Sequence, residues 1–459
     1  MGLLRANVLE AVPRGELAQR ALPPITGNAL QLLPTKPFHR SQYGELQARN
    51  TRRNRSYSCP SQVCLTEFDG PCSSIGTVSP RIPKPERPLL ERLGGRFLLA
   101  GNVALAAADD PIHVLNPVER AGLLRVTRGA VLRAALAGVL NAAVTGFGAL
   151  LAARVLGHKP EHATLAQNVS YWGLFGALAL LAAVLEIAYL YWDGLCAVRE
   201  LSLVAGLSLD ASENMDVRFA LARAALELPN SPEVTLGVDP HREASRWQLA
   251  TASVVYKLKV SVTNFLFKAL VQRAVGRLAT RALLAFTAIP INALWNGLVC
   301  WFVLREARIR VMGPSAAAEM LDIVFSEQPA PSAALLTTVH SALGAAVVRT
   351  SQLHPNHIAL IRELRLRVGE PEVGVEVDDS RAFLRSLRPL ATAERRTALR
   401  VLAIAAILDG RLAPRERRLL SEAYAACDIP PALEHVEQLR RAFVAGEPIP
   451  REELLAAAS

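Results

Sequence analysis

The sequence predicts an all-α integral membrane protein with a transmembrane helical hairpin and a soluble helical C-terminal domain. Three runs carry no Asp, Glu, Lys or Arg and support this prediction: 134–153, 163–185 and 282–304. A helix needs about 20 such residues to cross the ~30 Å of hydrocarbon in a bilayer. Beyond residue 313, apolar residues recur at the spacing of amphipathic helices, which indicates a water-soluble part.

The composition agrees with this mixture. Hydrophobic residues make up 51% of the chain and the mean hydropathy is +0.23, yet 20% of the residues are charged. This favours a few spans joined to soluble helices over a polytopic transporter. The net charge of +10 suits an anionic membrane surface or nucleic acid. Because aromatic residues are only 5% and no nucleic-acid motif occurs, we expect membrane lipids as a partner and no nucleic acid.

The pattern divides the chain into five parts. The first is a disordered tail rich in Pro and Arg, and the last is a helical domain. In order, the parts are the tail at 1–118, the hairpin at 119–200, a membrane-associated helical region at 201–312, a helical connector at 313–380 and the C-terminal domain at 381–459.

Within these parts we predict two helices before the third apolar run. The first, at 208–230, is amphipathic. The second, at 241–281, has a basic face that either lies along anionic headgroups or is the solvated face of a bundle. Beyond Gly313-Pro314, helices are predicted at 315–327, 331–350, 356–368, 379–388, 392–408, 414–427, 430–445 and 451–458.

The first two apolar runs are joined by a short connection, so the second must return beside the first. Arg residues concentrate before the first run and are sparse in the connection, which places both flanks in the cytoplasm and the tip outside. The third run, 282–304, contains Pro290 and has basic residues at both ends. If both flanks stay in the cytoplasm, it re-enters the membrane as a hairpin broken at Pro290 or packs against the first pair of helices in the interface. Otherwise it spans the membrane, and the charges favour the first option.

Small residues recur every four positions in the first run, at Ala134, Gly138, Ala142 and Gly146. This places them on one helix face, where small side chains allow two helices in lipid to approach closely. We interpret the stripe as a helix-packing face, although an Ala-rich helix can produce such a stripe by chance.

Glu186 is a charged residue near the cytoplasmic end of the second apolar helix. A carboxylate within a membrane is costly and raises the question of function. Our interpretation is a structural pair with Arg133, which we expect at a similar depth, and the alternative is a residue on a transport pathway.

Chemistry-bearing motifs are absent from the sequence: there is no phosphate-binding loop, nucleophile elbow, His-Glu-x-x-His motif or dinucleotide fingerprint. We therefore predict that the protein is not an enzyme and has no cofactor. In His354-Pro-Asn-His357, Pro355 marks a helix start, so we interpret the two His residues as part of a turn capped by Asn356.

Near the C-terminus, an Ala-rich helix ending in Asp409-Gly410 is followed by Pro414-Arg-Glu416-Arg. Gly410 is suited to the end of one helix, and Pro414 and Glu416 to the first turn of the next. This segment resembles the TerB (tellurite-resistance) helical domain. In that family, acidic residues at the hinge are implicated in metal binding, so the resemblance implies Asp409 and Glu416 as metal ligands for a divalent cation. The surrounding arginines favour a structural turn instead.

A second resemblance covers roughly residues 175–325. The segments LEIAYLYWDGLCAVRELSLVAGL and AIPINALWNGLVCWFVLREARIR are similar to the EcsC-type bacterial membrane-associated proteins, with Pro290, Asn292, Asn296 and Arg305 in matching places. The resemblance implies a location at the membrane.

Together these observations predict a bacterial inner-membrane protein whose C-terminal domain lies in the cytoplasm. The function we expect is a non-enzymatic, membrane-tethered interaction or stress-response module that recruits an unknown protein partner. The alternative is a small channel or transporter component built from hairpins that form a homo-oligomer, with the small-residue stripe as its seam and Glu186 in its path.

Overall fold

A computed structural model describes residues 88–99, 112–156, 164–207, 209, 215–228, 234–245, 247, 281–328, 331–371 and 376–458. Every regular element in these ranges is an α-helix, so the predicted all-α class is confirmed there. The helices are α1 (Leu89–Leu99), α2 (Pro117–Val155), α3 (Leu165–Val204), α4 (Met215–Ala225), α5 (Arg281–Ser326), α6 (Ala333–Thr350), α7 (Pro355–Val368), α8 (Ser380–Ser386), α9 (Thr392–Leu408), α10 (Pro414–Ala426), α11 (Leu433–Ala445) and α12 (Arg451–Ala456).

The two long helices α2 and α3 begin at capping boxes. The Asn116 side chain accepts from the backbone N–H of Glu119, whose carboxylate accepts from the N–H of Asn116. Thr164 and Gln167 make the same reciprocal pair at the start of α3. These bonds satisfy N–H groups that a helix start leaves without partners. The first and second apolar runs therefore lie inside much longer helices, each of which begins at a defined capping residue.

The third apolar run lies in α5, and the predicted break at Pro290 is wrong. Helix α5 continues through both Pro290 and Pro314. A proline inside a helix costs about 3 kcal/mol, so packing must outweigh the local preference. The packing comes from α2, along which α5 lies over much of its length. The re-entrant hairpin is thereby replaced by one continuous helix.

The predicted start of a helix at residue 315 is also wrong, because α5 passes through Gly313-Pro314. Gly313 instead makes room for a neighbouring side chain, since a Cβ built on Gly313 would lie 2.1 Å from Cγ of Asn356. The amide of Asn356 donates to the carbonyls of Ile309 at 3.0 Å and Leu408 at 2.6 Å. Asn356 thus joins α5, α7 and the end of α9.

The C-terminal helices form within a few residues of their predicted bounds. Helices α6 and α9 are central, because most of their side chains are buried against each other and against α5 and α8. The close contact of α6 with the segment before α8 depends on Gly344, where a Cβ would lie 2.0 Å from the carbonyl oxygen of Val377. This core belongs to the same compact unit, Pro83–Ser459, as the long apolar helices.

Helix α1 lies in the segment that was predicted to be a disordered tail. It packs against α4, where Gly94 and Gly95 face Ala222 and Phe219. A buried ion pair joins the two helices, with Arg223 Nε 2.8 Å from Glu91 Oε2. The prediction of disorder is therefore wrong for Leu89–Leu99, and residues 1–87 lie outside the described residues.

The helix predicted at 241–281 does not begin where expected. Residues 234–245 form turns with one isolated bridge between Thr235 and Val238, and Arg242 pairs with Glu376 and Asp378. Residues 248–280, including the proposed headgroup-binding face, lie outside the described residues. The amphipathic helix expected at 208–230 is shorter and corresponds to α4.

Candidate functional site

The apolar helices are held together by a polar cluster that we call the Glu186 cluster: Asn141 on α2, Glu186 on α3, and Asn292 and Asn296 on α5. The Glu186 carboxylate accepts from Nδ2 of Asn141 at 2.5 Å and from Nδ2 of Asn296 at 2.7 Å. One carboxylate therefore joins three helices. In lipid, such hydrogen bonds between helices stabilise their association.

Two acceptors of this cluster have no hydrogen-bond partner among the residues that the structure describes. The Oδ1 atoms of Asn141 and Asn292 are buried without a hydrogen bond. Asn292 and Asn296 are both nearly fully buried, one helical turn apart on the face of α5 that meets α2. A buried polar group without a partner costs free energy, so the cluster retains unused capacity to accept a hydrogen bond.

The predicted pair between Glu186 and Arg133 is wrong. Arg133 Nε lies 2.7 Å from Asp193 Oδ1, and the Asp193 side chain is buried. The antiparallel register of α2 and α3 places Asn141 beside Glu186 and Arg133 beside Asp193. Arg133 is thus about two helical turns, or roughly 10 Å, from the level of Glu186. Sequence reasoning missed Asp193 because it follows the apolar run and so gave no signal of an intramembrane charge.

The small-residue stripe of α2 lies against α5. Ala134, Gly138 and Ala142 are buried, and Gly146 is half-buried. A Cβ built on Gly138 would lie 2.5 Å from the backbone oxygen of Asn292, so the two helices touch at their backbones. The structure thus places the stripe in an interface within the chain, between the first and third apolar runs.

The outer surfaces of α2 and α3 are apolar and exposed. In the most apolar window of α3 none of the residues is buried, and in that of α2 only 17% are. By length and composition α2, α3 and α6 could each cross a membrane, but 67% of the corresponding window of α6 is buried in the helical core. A large exposed apolar surface marks a membrane or protein contact.

The resemblance-derived pair Asp409 and Glu416 comes together at the turn between α9 and α10. Gly410 has φ +70°, and the Asp409 side chain accepts from the N–H of Arg411 at 2.7 Å. The Glu416 side chain accepts from the N–H of Ala413 at 2.8 Å, and it also contacts Asp409. Both carboxyl groups are buried.

Burial controls the ionisation of this pair. Burial raises the pKa of Asp409 to about 7. The hydrogen bond from the N–H of Arg411 lowers this pKa, but it offsets only part of the effect of burial. Burial and the adjacent Asp409 raise the pKa of Glu416 well above its ordinary value. A proton shared by the two carboxyl groups would give Glu416 Oε1 a hydrogen bond. Among the described residues, this atom has no other hydrogen-bond partner.

The pair fits a divalent cation poorly. A cation requires deprotonated ligands, whereas these two carboxyl groups favour the protonated form. The nearby charges of Arg411 and Arg440 act on Asp409 and would repel a cation. Within the described residues no group of three or more His, Cys, Asp or Glu side chains is placed to hold a metal. We therefore derive no chemistry from a metal at this turn.

A second buried network, which sequence reasoning missed, joins α5 to the helical core. His354 Nε2 lies 2.9 Å from Glu306 Oε1, and Arg310 Nε donates to the same oxygen at 3.1 Å. Arg411 Nη2 donates to the other oxygen at 3.4 Å. Although burial opposes ionisation, the hydrogen bond from His354 and the charges of the two arginines lower the pKa of Glu306.

The geometry at His354 defines its protonation. Nδ1 accepts from the backbone N–H of Asn356 at 3.2 Å, so His354, not Asn356, caps α7. Nε2 must then carry the proton that is donated to Glu306. Burial lowers the pKa of His354, which agrees with a neutral ring. The expected cap by Asn356 is wrong because its side chain is used between α5 and α9.

A search against protein-family models returns no match for this chain. No curated protein matches it, and no solved structure matches it.

Proposed function

We propose that this chain is a bacterial inner-membrane protein that acts as a non-enzymatic, membrane-tethered interaction or stress-response module. Its hairpin, α2 and α3, anchors the chain in lipid, and its helical C-terminal region recruits a protein partner in the cytoplasm. The observation that carries the proposal is the exposed apolar exterior of α2 and α3. The resemblances to EcsC-type proteins and to the TerB domain support the same arrangement.

Helix α5 supports a mechanical link between anchor and recruiting region. Its first part packs along α2, and its last part packs on α7 and α9. Because the helix is continuous between these contacts, a displacement at one end is transmitted to the other. The Glu306–His354 network lies where the helix enters the C-terminal core.

The anchor is tested by placing arginine on its exposed surface. Leu140 and Leu180 are 65% and 66% exposed, and each arginine at a membrane centre costs about 2.5–3.5 kcal/mol. We expect the Leu140→Arg/Leu180→Arg variant to be lost from membranes that resist alkaline carbonate extraction. The control is Leu366→Arg on α7, where the leucine is 75% exposed, and it should behave as the wild type. Wild-type protein that stays in the supernatant without detergent would contradict the anchor.

The recruiting surface that we favour is basic. Arg415 and Arg418 are exposed at the start of α10 and, with Arg349 and Glu243, line a cavity of about 210 Å³. This charge favours an acidic partner segment. Cross-linking of full-length protein in membranes should yield an adduct that is lost in Arg415→Glu/Arg418→Glu and retained in Arg396→Glu, which reverses an exposed charge on α9.

The alternative function, a small channel or transporter component, is favoured by the Glu186 cluster. A carboxylate with adjacent unpartnered amide oxygens is a feature of ion pathways. The cluster is, however, closed by hydrogen bonds within one chain. Under the anchor proposal, vesicles with wild-type protein and with Glu186→Gln should show the same ion flux. A flux that the variant abolishes at normal insertion would favour the channel.

A further inference from the structure

The contacts between α2 and α3 show which residues of the two helices lie at the same height along the helix axes, which we call the same level. Gly148 lies beside Leu178, Asn141 beside Glu186 and Arg133 beside Asp193. As the number rises on one helix it falls on the other, so the helices are antiparallel. We continue this register by two helical turns beyond the Arg133–Asp193 pair, away from Glu186. Arg125 and Arg128 of α2 then lie at the same level as Arg199 of α3.

The contacts between α2 and α5 extend the level to the third helix. A Cβ on Gly138 would touch Asn292, and one on Gly297 would lie 3.5 Å from Val131. This pair of helices is also antiparallel, and the same continuation places Arg125 and Arg128 level with Trp301–Arg305. Trp301 and Phe302 are partly exposed there, as aromatic residues are at a membrane interface.

This level carries an excess of positive charge. We call the five arginines at it the basic girdle: Arg125, Arg128, Arg199, Arg305 and Arg308. None of them makes an ion pair with a carboxylate of the described residues. Two carboxylates lie at the same level, Glu306, which is bonded to His354 and Arg310, and Glu200 of α3, so the five arginines remain in excess. Deeper in the apolar region, Arg133 is neutralised by Asp193.

One face of α2 continues from the girdle as an apolar stripe. Leu132, Leu136, Leu140 and Val144 follow Arg128 at four-residue intervals, and all four are exposed. At a rise of 1.5 Å per residue, the stripe from Leu132 to Val144 is about 18 Å long, which is close to one leaflet. Where the stripe meets the girdle, Leu124, Arg125, Arg128 and Leu132 border a shallow open groove on the surface of α2, together with the small residues Ala121 and Gly129.

We propose that this face of α2 is a binding site for an anionic phospholipid. Arg125 and Arg128 bind the headgroup phosphate at the open groove, and an acyl chain lies along the stripe beginning at Leu132. A guanidinium matches phosphate by charge and by paired N–H donors. The inference rests on the proposed membrane anchor and adds lipid selectivity to it.

The test uses full-length protein in vesicles of phosphatidylcholine with a minor fraction of phosphatidylglycerol. Lipids that stay bound after gentle detergent release are counted by native mass spectrometry. The wild type should retain phosphatidylglycerol in excess over its bulk fraction. Arg125→Gln/Arg128→Gln should reduce this preference by about thirtyfold, since each of the two basic residues contributes on the order of 1 kcal/mol and every 1.4 kcal/mol is about tenfold. Arg396→Gln, which removes one exposed positive charge from α9, should retain it.

A second measurement needs no substitution. Because exposed charges are screened by salt, the preference of the wild type for phosphatidylglycerol should fall when the sodium chloride concentration is raised from 0.05 to 0.5 M. These two values lie on either side of the concentration at which the Debye length is about 10 Å. Retention at the bulk ratio, or equal retention by the double variant at normal incorporation, would overturn the lipid site and leave the anchor intact. Failure of wild-type protein to enter vesicles would instead overturn the anchor.

Discussion

Asp409 shows, at the scale of one residue, how burial changes a carboxyl group at a helix turn. Its pKa is raised from an ordinary value of 3.8 to about 7, chiefly because burial disfavours the charged form. A carboxyl group whose pKa is higher in the folded state binds more protons there than in the unfolded state. Its contribution to stability is complete below the ordinary pKa and is lost as the pH rises through about 7.

The variant Asp409→Asn tests this dependence. The amide cannot ionise, yet its oxygen can still accept from the N–H of Arg411. We expect the melting temperature of the wild type to fall between about pH 4 and pH 7, and that of the variant to fall less. Thermal unfolding followed by circular dichroism over this range measures both.

Asp428→Asn is the matched control for that variant. Asp428 also follows a helix end, has φ +58° and has a side chain that is 91% exposed. Asn tolerates this backbone conformation, and the substitution should leave the pH dependence unchanged. Equal pH profiles for wild type and Asp409→Asn would show that Asp409 does not titrate as its burial indicates.

At the scale of residues, the sequence indicates which two side chains lie together only where the two residues are close along the chain. Asp409 and Glu416 are joined by one turn, so their proximity follows from the helix boundaries. Glu186 and Arg133 are distant in sequence, and their relation depends on the register of α2 against α3. A displacement of two turns was enough to exchange the partner of Arg133 for Asp193.

At the scale of helices, the approach of α2 to α5 depends on Gly138. In Gly138→Ala the added Cβ would lie 2.5 Å from a backbone oxygen, which side-chain rotation cannot relieve. We expect a loss of about 1–3 kcal/mol, as for other overpacked contacts. Thermal unfolding of purified protein in detergent measures the loss.

Gly176→Ala on α3 is the control for this contact. A Cβ at Gly176 meets nothing within 4 Å, so the substitution should be neutral or should stabilise the helix by up to about 1 kcal/mol. If the two variants have equal stability, the backbone contact between α2 and α5 does not exist in solution.

The helix bounds of the C-terminal region were predictable, whereas the path of α5 was not. Caps and amphipathic spacing are local signals, and they defined α6 to α12 within a few residues. Pro290 and Gly313-Pro314 are also local signals, and they indicated breaks. Contacts with α2 and with Asn356 outweigh those signals, and such contacts are not readable from the neighbouring sequence.

At the scale of the molecule, the C-terminal helices share their core with α5 and α6. Residues 401–408 of α9 are buried, and α9 packs on α5, α6 and α11. A fragment of residues 381–459 would expose the face of α9 that contacts α5 and α6. We expect it to lack a cooperative thermal transition by circular dichroism.

Extension of that fragment to residues 306–459 supplies the missing contacts. The longer fragment includes the end of α5, all of α6 and α7, and the Glu306–His354 pair. We expect it to unfold cooperatively. Cooperative unfolding of 381–459 alone would show instead that the last helices form an independent domain.

The sequence by itself determined the all-helical class, the two apolar runs in α2 and α3 that are long enough to span a bilayer and the bounds of the C-terminal helices. Each of these depends on composition, periodicity or capping over a few neighbouring residues. Only the tertiary structure decided that α5 is continuous, that Asp193 is the partner of Arg133, and that the arginines of three helices lie at one level. These depend on the register of helices distant in sequence, which is determined by close packing between their surfaces.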